Sequence, residues 1–271
     1  MREVLAPGAL ALAGALLFVP GPAASQVPDH GVEFTLPEAI LNLRLPNGAG
    51  KSILTPTGWG AAYNTVFGGI GYQTEVSSDG RDDADWGFGV GLGDPVLLVG
   101  VQITGTVYDI WGFSQFSLGA KVHRYLGLGT SVAAGAVTLV ETMDGQPHRQ
   151  SFFAVISHTP QQVLGTRPGM GRLHVSLGVG TGQFAEMPLS TGAHGEEHGG
   201  SWVFGSAALE LAENWNLIGE WDGLGMNAGM SYTLPLPGFI ESVTAGLADI
   251  TKRVGDRPRL VFGAGAALTL F

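Results

Sequence analysis

The sequence predicts an all-β chain folded as a transmembrane antiparallel β-barrel of about twelve strands, with a cleaved N-terminal signal peptide. Three observations predict it. The N-terminus reads as an export signal. From Trp59 onward, large apolar residues alternate with Gly and polar residues. The last strand closes on an aromatic residue, Phe271.

The export signal comes first in the chain. Arg2 precedes an apolar run from Leu5 to Val19, which Pro20, Gly21 and Pro22 interrupt. Ala23, Ala24 and Ser25 supply the small residues that a signal peptidase reads, so residues 1–25 form the signal and cleavage falls before Gln26. A membrane-spanning helix needs roughly 20 apolar residues, which this run does not reach. No later segment is long and apolar enough to be such a helix. The mature chain is therefore exported, either soluble in the periplasm or inserted in the bacterial outer membrane.

Composition narrows the choice. The chain has 271 residues, 44 of them Gly, with only 13% charged and 45% hydrophobic. A Gly-rich disordered chain would lack the aliphatic residues found here throughout. There is no Cys, which excludes disulfides, thiolate chemistry and a lipid-anchored N-terminal Cys. The net charge is -10, from 13 Lys and Arg against 23 Asp and Glu, without any basic cluster. This argues against nucleic acid, whose phosphates demand clustered cations. The acidic excess is expected in water-facing loops. No cofactor or metal is expected.

The strands show themselves by their period of two. Trp86, Phe88, Val90 and Leu92 alternate with Gly87, Gly89 and Gly91. Val99, Val101, Ile103 and Val107 oppose Gly100, Gln102, Thr104 and Thr106. Phe116, Leu118, Ala120 and Val122 oppose Ser117, Gly119, Lys121 and His123. Leu173, Val175, Leu177 and Val179 oppose His174, Ser176, Gly178 and Gly180. Trp215, Leu217 and Trp221 oppose Asn216, Ile218, Glu220 and Asp222. Met226, Ala228, Met230 and Tyr232 oppose Asn227, Gly229 and Ser231. A soluble sandwich also alternates, but Gly on the polar face suits the restricted inside of a closed barrel. Aromatic residues at strand ends (Trp59, Tyr72, Trp86, Trp111, Tyr125, Trp202, Trp215, Trp221 and Tyr232) suit two interfacial girdles.

Strands are expected near 58–73, 84–93, 96–108, 113–124, 129–141, 150–158, 171–183, 201–212, 214–222, 224–233, 239–250 and 259–271, so that residues 58–271 form the barrel. The strands at 129–141 and 150–158 are apolar on both faces and cannot be oriented. With the first strand running outward, the polar segments 74–83, 142–149, 184–200 and 251–258 become outer loops. Two connections break this rule: 159–170 is long but falls inside, and Asp222-Gly223 is short but falls outside. The Pro-rich stretch 26–57 is either a periplasmic leader or a plug folded into the lumen, and the leader is taken ahead of the plug.

Several motifs suggest chemistry. His194-Gly195-Glu196-Glu197-His198 has a zinc-protease spacing, but that chemistry needs a helix, and the Gly residues around the motif disfavour one. Ser157-His158 and His123 are the nearest candidates for a barrel hydrolase, without a pattern joining nucleophile to base. Asp82, Asp83 and Asp85 are acidic but tied to no His. The more credible functional set lines the lumen: Gln102, Lys121, His123, His174, Glu210, Glu220, Asp222 and Asn227. These charges select solutes, or pair with one another as Glu220 with Lys121.

Gly219-Glu220-Trp221-Asp222-Gly223, followed by Asn227-Ala228-Gly229-Met230-Ser231, resembles a hairpin of bacterial outer-membrane barrels linked to exopolysaccharide production. Leu54-Thr55-Pro56-Thr57-Gly58-Trp59-Gly60 resembles the opening of such domains. The resemblance implies polysaccharide secretion or an envelope role. Phe271, in Ala-Leu-Thr-Leu-Phe, resembles the C-terminal signal by which such barrels engage their assembly machinery. The leading expectation is non-enzymatic passage of solutes or polymer, or a structural envelope role. A barrel hydrolase is second, and a soluble exported β protein third.

Overall fold

The computed structural model describes residues 51–74, 83–108, 116–142, 150–159, 172–185, 199–236, 239–254 and 257–270. The expected signal region 1–25, residues 26–50, Asp82, Trp111, the 194–198 motif and Phe271 lie outside them. Twelve strands form one closed antiparallel barrel, each paired with its sequence neighbours. They are β1 Thr65–Gln73, β2 Asp83–Gly93, β3 Gly100–Val107, β4 Phe116–Gly127, β5 Thr130–Thr142 and β6 Ser151–His158, then β7 Leu173–Gly180, β8 Val203–Ala212, β9 Trp215–Trp221, β10 Met226–Leu236, β11 Phe239–Ala248 and β12 Arg259–Thr269. Closure is made by β1 against β12, where Thr65 meets Thr269 with their hydroxyls 3.1 Å apart.

The alternation in the sequence becomes an outer and an inner face. Val66, Ile70, Leu177, Val179, Leu217 and Phe262 point outward and are exposed. At Gly105 on the outer face, aromatic rings cover the glycine. Phe88 and Phe116 stack with centroids 6.3 Å apart across Gly105, where a Cβ would meet both rings. Trp86, Tyr72 and Trp221 lie toward the long-loop ends of their strands, and Trp202 just before β8. Trp215 and Tyr232 pair 5.0 Å apart toward the other end. An even-numbered antiparallel barrel with such an apolar belt between aromatic girdles is a transmembrane barrel of the bacterial outer membrane. Leu217 sits mid-strand in that belt between Leu209 and Met230. Leu217→Arg is expected to cost about 2–4 kcal/mol of stability, measured by urea titration of barrels folded in lipid vesicles.

The first strand differs from the expected one. Residues 58–64 are not strand; β1 begins at Thr65, after Tyr63 and Asn64 turn the chain with φ of 56° and 58°. Trp59 is therefore not a girdle residue. Its ring lies 5.8 Å from Tyr125, which shares the inner face of β4. Most short connections gather at the end where β1 starts; the turn between β9 and β10 is short but lies at the other end. Leu128-Gly129 joins β4 to β5 with both φ positive, 51° and 75°, as a type I′ hairpin requires.

The unoriented strands β5 and β6 acquire an orientation. Their inner faces carry Ala133, Phe153 and Val155, buried with Phe204 of β8 and Phe184. Phe184 belongs to a 3-10 turn, Gly182–Phe184, that follows β7 and folds inward, stacking on Phe204 with centroids 4.4 Å apart. An apolar patch inside the barrel is thus covered by a residue from the long-loop end.

Candidate functional site

Residues 51–64 run through the lumen. A Gly-lined wall makes room for them. A Cβ on Gly91 of β2 would strike the Ala61 carbonyl and the Ala62 nitrogen. A Cβ on Gly60 would fall 2.6 Å from Nδ1 of His123. The bare inner face read from Gly87, Gly89 and Gly91 therefore has an occupant: the segment backbone at Gly91 and the Phe67 ring at Gly89.

The segment's buried backbone amides and carbonyls need hydrogen-bond partners. They find the barrel wall. Ile53 N and Leu54 N donate to the two oxygens of Glu220, each at 2.9 Å. Thr55 donates to the same carboxylate through its nitrogen (3.2 Å) and hydroxyl (2.9 Å). Asn227 Nδ2 adds a fifth bond at 3.0 Å. Glu220 is 1% exposed. A carboxylate so deep is tolerable only with such donors, and charge-assisted bonds are the strong kind.

Farther along, Gly58 N donates to Ser157 Oγ at 2.7 Å, and its carbonyl accepts from Ser131 Oγ at 2.7 Å. Lys121 Nζ donates to the Trp59 carbonyl at 2.6 Å, and Ala61 N to Gln102 Oε1 at 3.0 Å. At the segment's beginning Lys51 Nζ donates to Asn216 Oδ1 at 2.5 Å, and Asn216 in turn to Ser231 Oγ at 3.0 Å. The segment therefore touches β9, β10, β6, β5, β4 and β3 in turn before it becomes β1.

The eight residues singled out from the sequence divide by what they hold. Glu220, Lys121 and Gln102 bind the segment directly, and Asn227 binds it through Glu220. Glu220 and Lys121 do not pair with each other; each is satisfied by a different stretch of the segment. His123 is buried against it, its ring set between Gly60 and Gly100. His174 bonds to Thr159 Oγ1 through Nδ1 at 2.8 Å. Glu210 lies 3.8 Å from Arg172 Nε. Asp222 caps its own turn, accepting from Leu224 N at 2.9 Å and Gly225 N at 2.8 Å, while its other oxygen accepts from Asn227 at 3.1 Å.

Ser157 and His158 do not converge. They are neighbours in β6 and so face opposite sides of the wall. Ser157 Oγ meets Ser176 Oγ at 2.7 Å inside, and His158 Nδ1 meets Thr130 Oγ1 at 2.9 Å. Asp85 stands opposite Gly71 on the β2–β1 pair. Ser131, Asn216 and the amides of residues 53–55 are lumen contacts outside the set singled out by periodicity, and Ser157, named only beside His158, is another. Ser131 and Ser157 sit in the two strands whose faces could not be told apart.

No protein-family model matches the chain, and no curated protein matches its sequence. Among solved structures, the NanC porin is 7% identical over 76% of this chain and 100% of its own, with a TM-score of 0.46. The outer membrane protein Omp33 of Acinetobacter baumannii is 10% identical over 77% of this chain and 98% of its own, at 0.41. The N-terminal β-barrel domain of Pseudomonas aeruginosa OprF is 11% identical over 76% of this chain and 96% of its own, at 0.21.

Proposed function

We propose that the protein is a non-enzymatic outer-membrane channel for small solutes, whose passage is set by the lumen segment 51–64. The observation that carries this reading is the segment itself, docked on the wall by Glu220, Ser157, Lys121 and Gln102. Eight strands give a barrel that side chains alone can fill, whereas sixteen leave an open aqueous channel. Twelve strands fall between, so a segment is needed to narrow the bore. It does so unevenly. Inward residues of β9 and β10 (Asn216, Glu220, Asn227, Ser231) are buried, while Thr104, Thr106, Ser242 and Thr244, on β3 and β11, stay half-buried. The polar, half-buried side is the path assigned to solutes.

Polymer export, which the resemblance to exopolysaccharide barrels implies, fits less well. The two stretches that carry that resemblance, 54–60 and 219–231, hold each other through Glu220 and Thr55, and a docked segment leaves less bore for a polysaccharide chain. Single-channel recording in planar bilayers tests the proposal. The mature chain is expected to give small steps and a chain beginning at Asn64 several-fold larger ones. Equal conductance from the two would sink it.

A further inference from the structure

We infer that the outer mouth regulates the lumen segment: a rearrangement of the loop at Asp249 is relayed through Asn227 to Glu220, and so to residues 53–55. This rests on the reading of the segment as the element that sets passage. The relay is a continuous chain of buried hydrogen bonds. Asn227, 1% exposed, spends both amide hydrogens on carboxylates, Glu220 at 3.0 Å and Asp222 at 3.1 Å. Its carbonyl oxygen accepts from Asp249 N at 2.9 Å. With two donors and one acceptor so used, the amide has one orientation only, fixed from both ends.

The outer end of the relay is a self-held turn. Asp249 has φ of 51° and Lys252 of 54°, left-handed positions for residues with a Cβ. The Asp249 carboxylate maintains this turn by accepting from Arg253 N at 2.7 Å and Val254 N at 2.9 Å. Ile250 N on the Met226 carbonyl (2.8 Å) and Met226 N on Thr251 Oγ1 (3.1 Å) tie it to the end of β10. Release of the turn moves Asp249 N. The Asn227 oxygen then loses its partner, the amide rotates, and Glu220 loses a donor while still holding the segment tip. Asp222 links the same amide to the turn between β9 and β10, so two neighbouring connections at this mouth converge on one side chain.

The chain has no Cys, so Ile53→Cys gives a single thiol at the tip while its backbone N–H still reaches Glu220. The readout is the rate of alkylation of that thiol by a membrane-impermeant maleimide in folded, vesicle-inserted full-length mature protein. Asn227→Ala is expected to raise the rate about tenfold, and Asp249→Ala by a similar factor. The double variant is expected to react no faster than the faster single one, because both cut one relay. Asp249→Asn keeps the left-handed backbone and one acceptor oxygen, and is expected to give a smaller increase should Asp249→Ala fail to fold. Unchanged labelling in the Asp249 variants, or effects that multiply in the double variant, would overturn the relay. Conductance is not the readout, so failure of the channel reading shows separately, in the comparison of full and shortened chains.

Discussion

Glu220→Ala is expected to free the tip of the lumen segment while leaving the barrel closed. The carboxylate accepts from three consecutive backbone amides, one hydroxyl and one carboxamide. Alanine removes all five acceptor contacts and leaves donors buried in a lumen wall. Each buried donor without a partner costs about 1–3 kcal/mol, so even a few outweigh what holds residues 53–55 in place. The segment can escape that cost by leaving; the wall cannot. Hydrogen exchange at the amides of Ile53, Leu54 and Thr55 is therefore expected to accelerate by about a hundredfold or more, which corresponds to roughly 2.7 kcal/mol. The twelve strand ladders do not involve the Glu220 side chain, and the heat-modifiable migration of the folded barrel is expected to persist. Glu220→Gln keeps the shape and one good acceptor, and its effect is expected to fall between. Protection of the three amides unchanged in Glu220→Ala would mean that the segment is held by its other contacts alone.

The barrel was legible in the sequence because its determinants are local. Alternation with period two needs only neighbouring residues, and one outward face of Trp86, Phe88, Val90 and Leu92 already demands an apolar surrounding. Closure with twelve strands, and both connections that seemed irregular in length, were present in the same pattern. The lumen was not legible in the same way. Glu220 binds residues 53–55 across more than 160 positions, and no periodicity links the two. Gly87, Gly89 and Gly91 announce an inner face without side chains but not what fills it. Phe184 lies in a connection, so its place against Phe204 follows from the fold alone. Tyr63 and Asn64 end the segment with left-handed backbone at two residues that are not Gly, so the break between segment and strand left no sign. Ser157-His158, the nearest hydrolase candidates in the sequence, lie side by side without meeting. Adjacency in a strand separates two side chains rather than joining them.

The wall offers the converse test of occupancy, at Gly91. A Cβ there would meet the carbonyl carbon and oxygen of Ala61 and the nitrogen of Ala62, all backbone atoms that cannot swing aside as a side chain tip can. Gly91→Val therefore sets the wall against the segment. Gly91 stands in a ladder between Thr65 of β1 and Gln102 of β3, supported on both sides by many cooperative bonds. The segment at this point is held by single bonds rather than by a ladder: Ala61 N on Gln102, Lys121 on the Trp59 carbonyl, Thr65 on the Ala62 carbonyl and Tyr63 N on the Gly93 carbonyl. Overpacking typically costs about 1–3 kcal/mol, comparable with one or two such bonds, and the segment, outside any ladder, is the part that yields. Conductance of Gly91→Val is expected to rise toward that of the chain beginning at Asn64. Gly87→Ala supplies the control on the same strand and face, because a Cβ there meets only the Gly105 carbonyl oxygen, at 3.7 Å. It is expected to conduct as the parent does. A rise in both variants would point to general loosening of β2, and a rise in neither would mean that residues 61–62 do not obstruct the path that ions take.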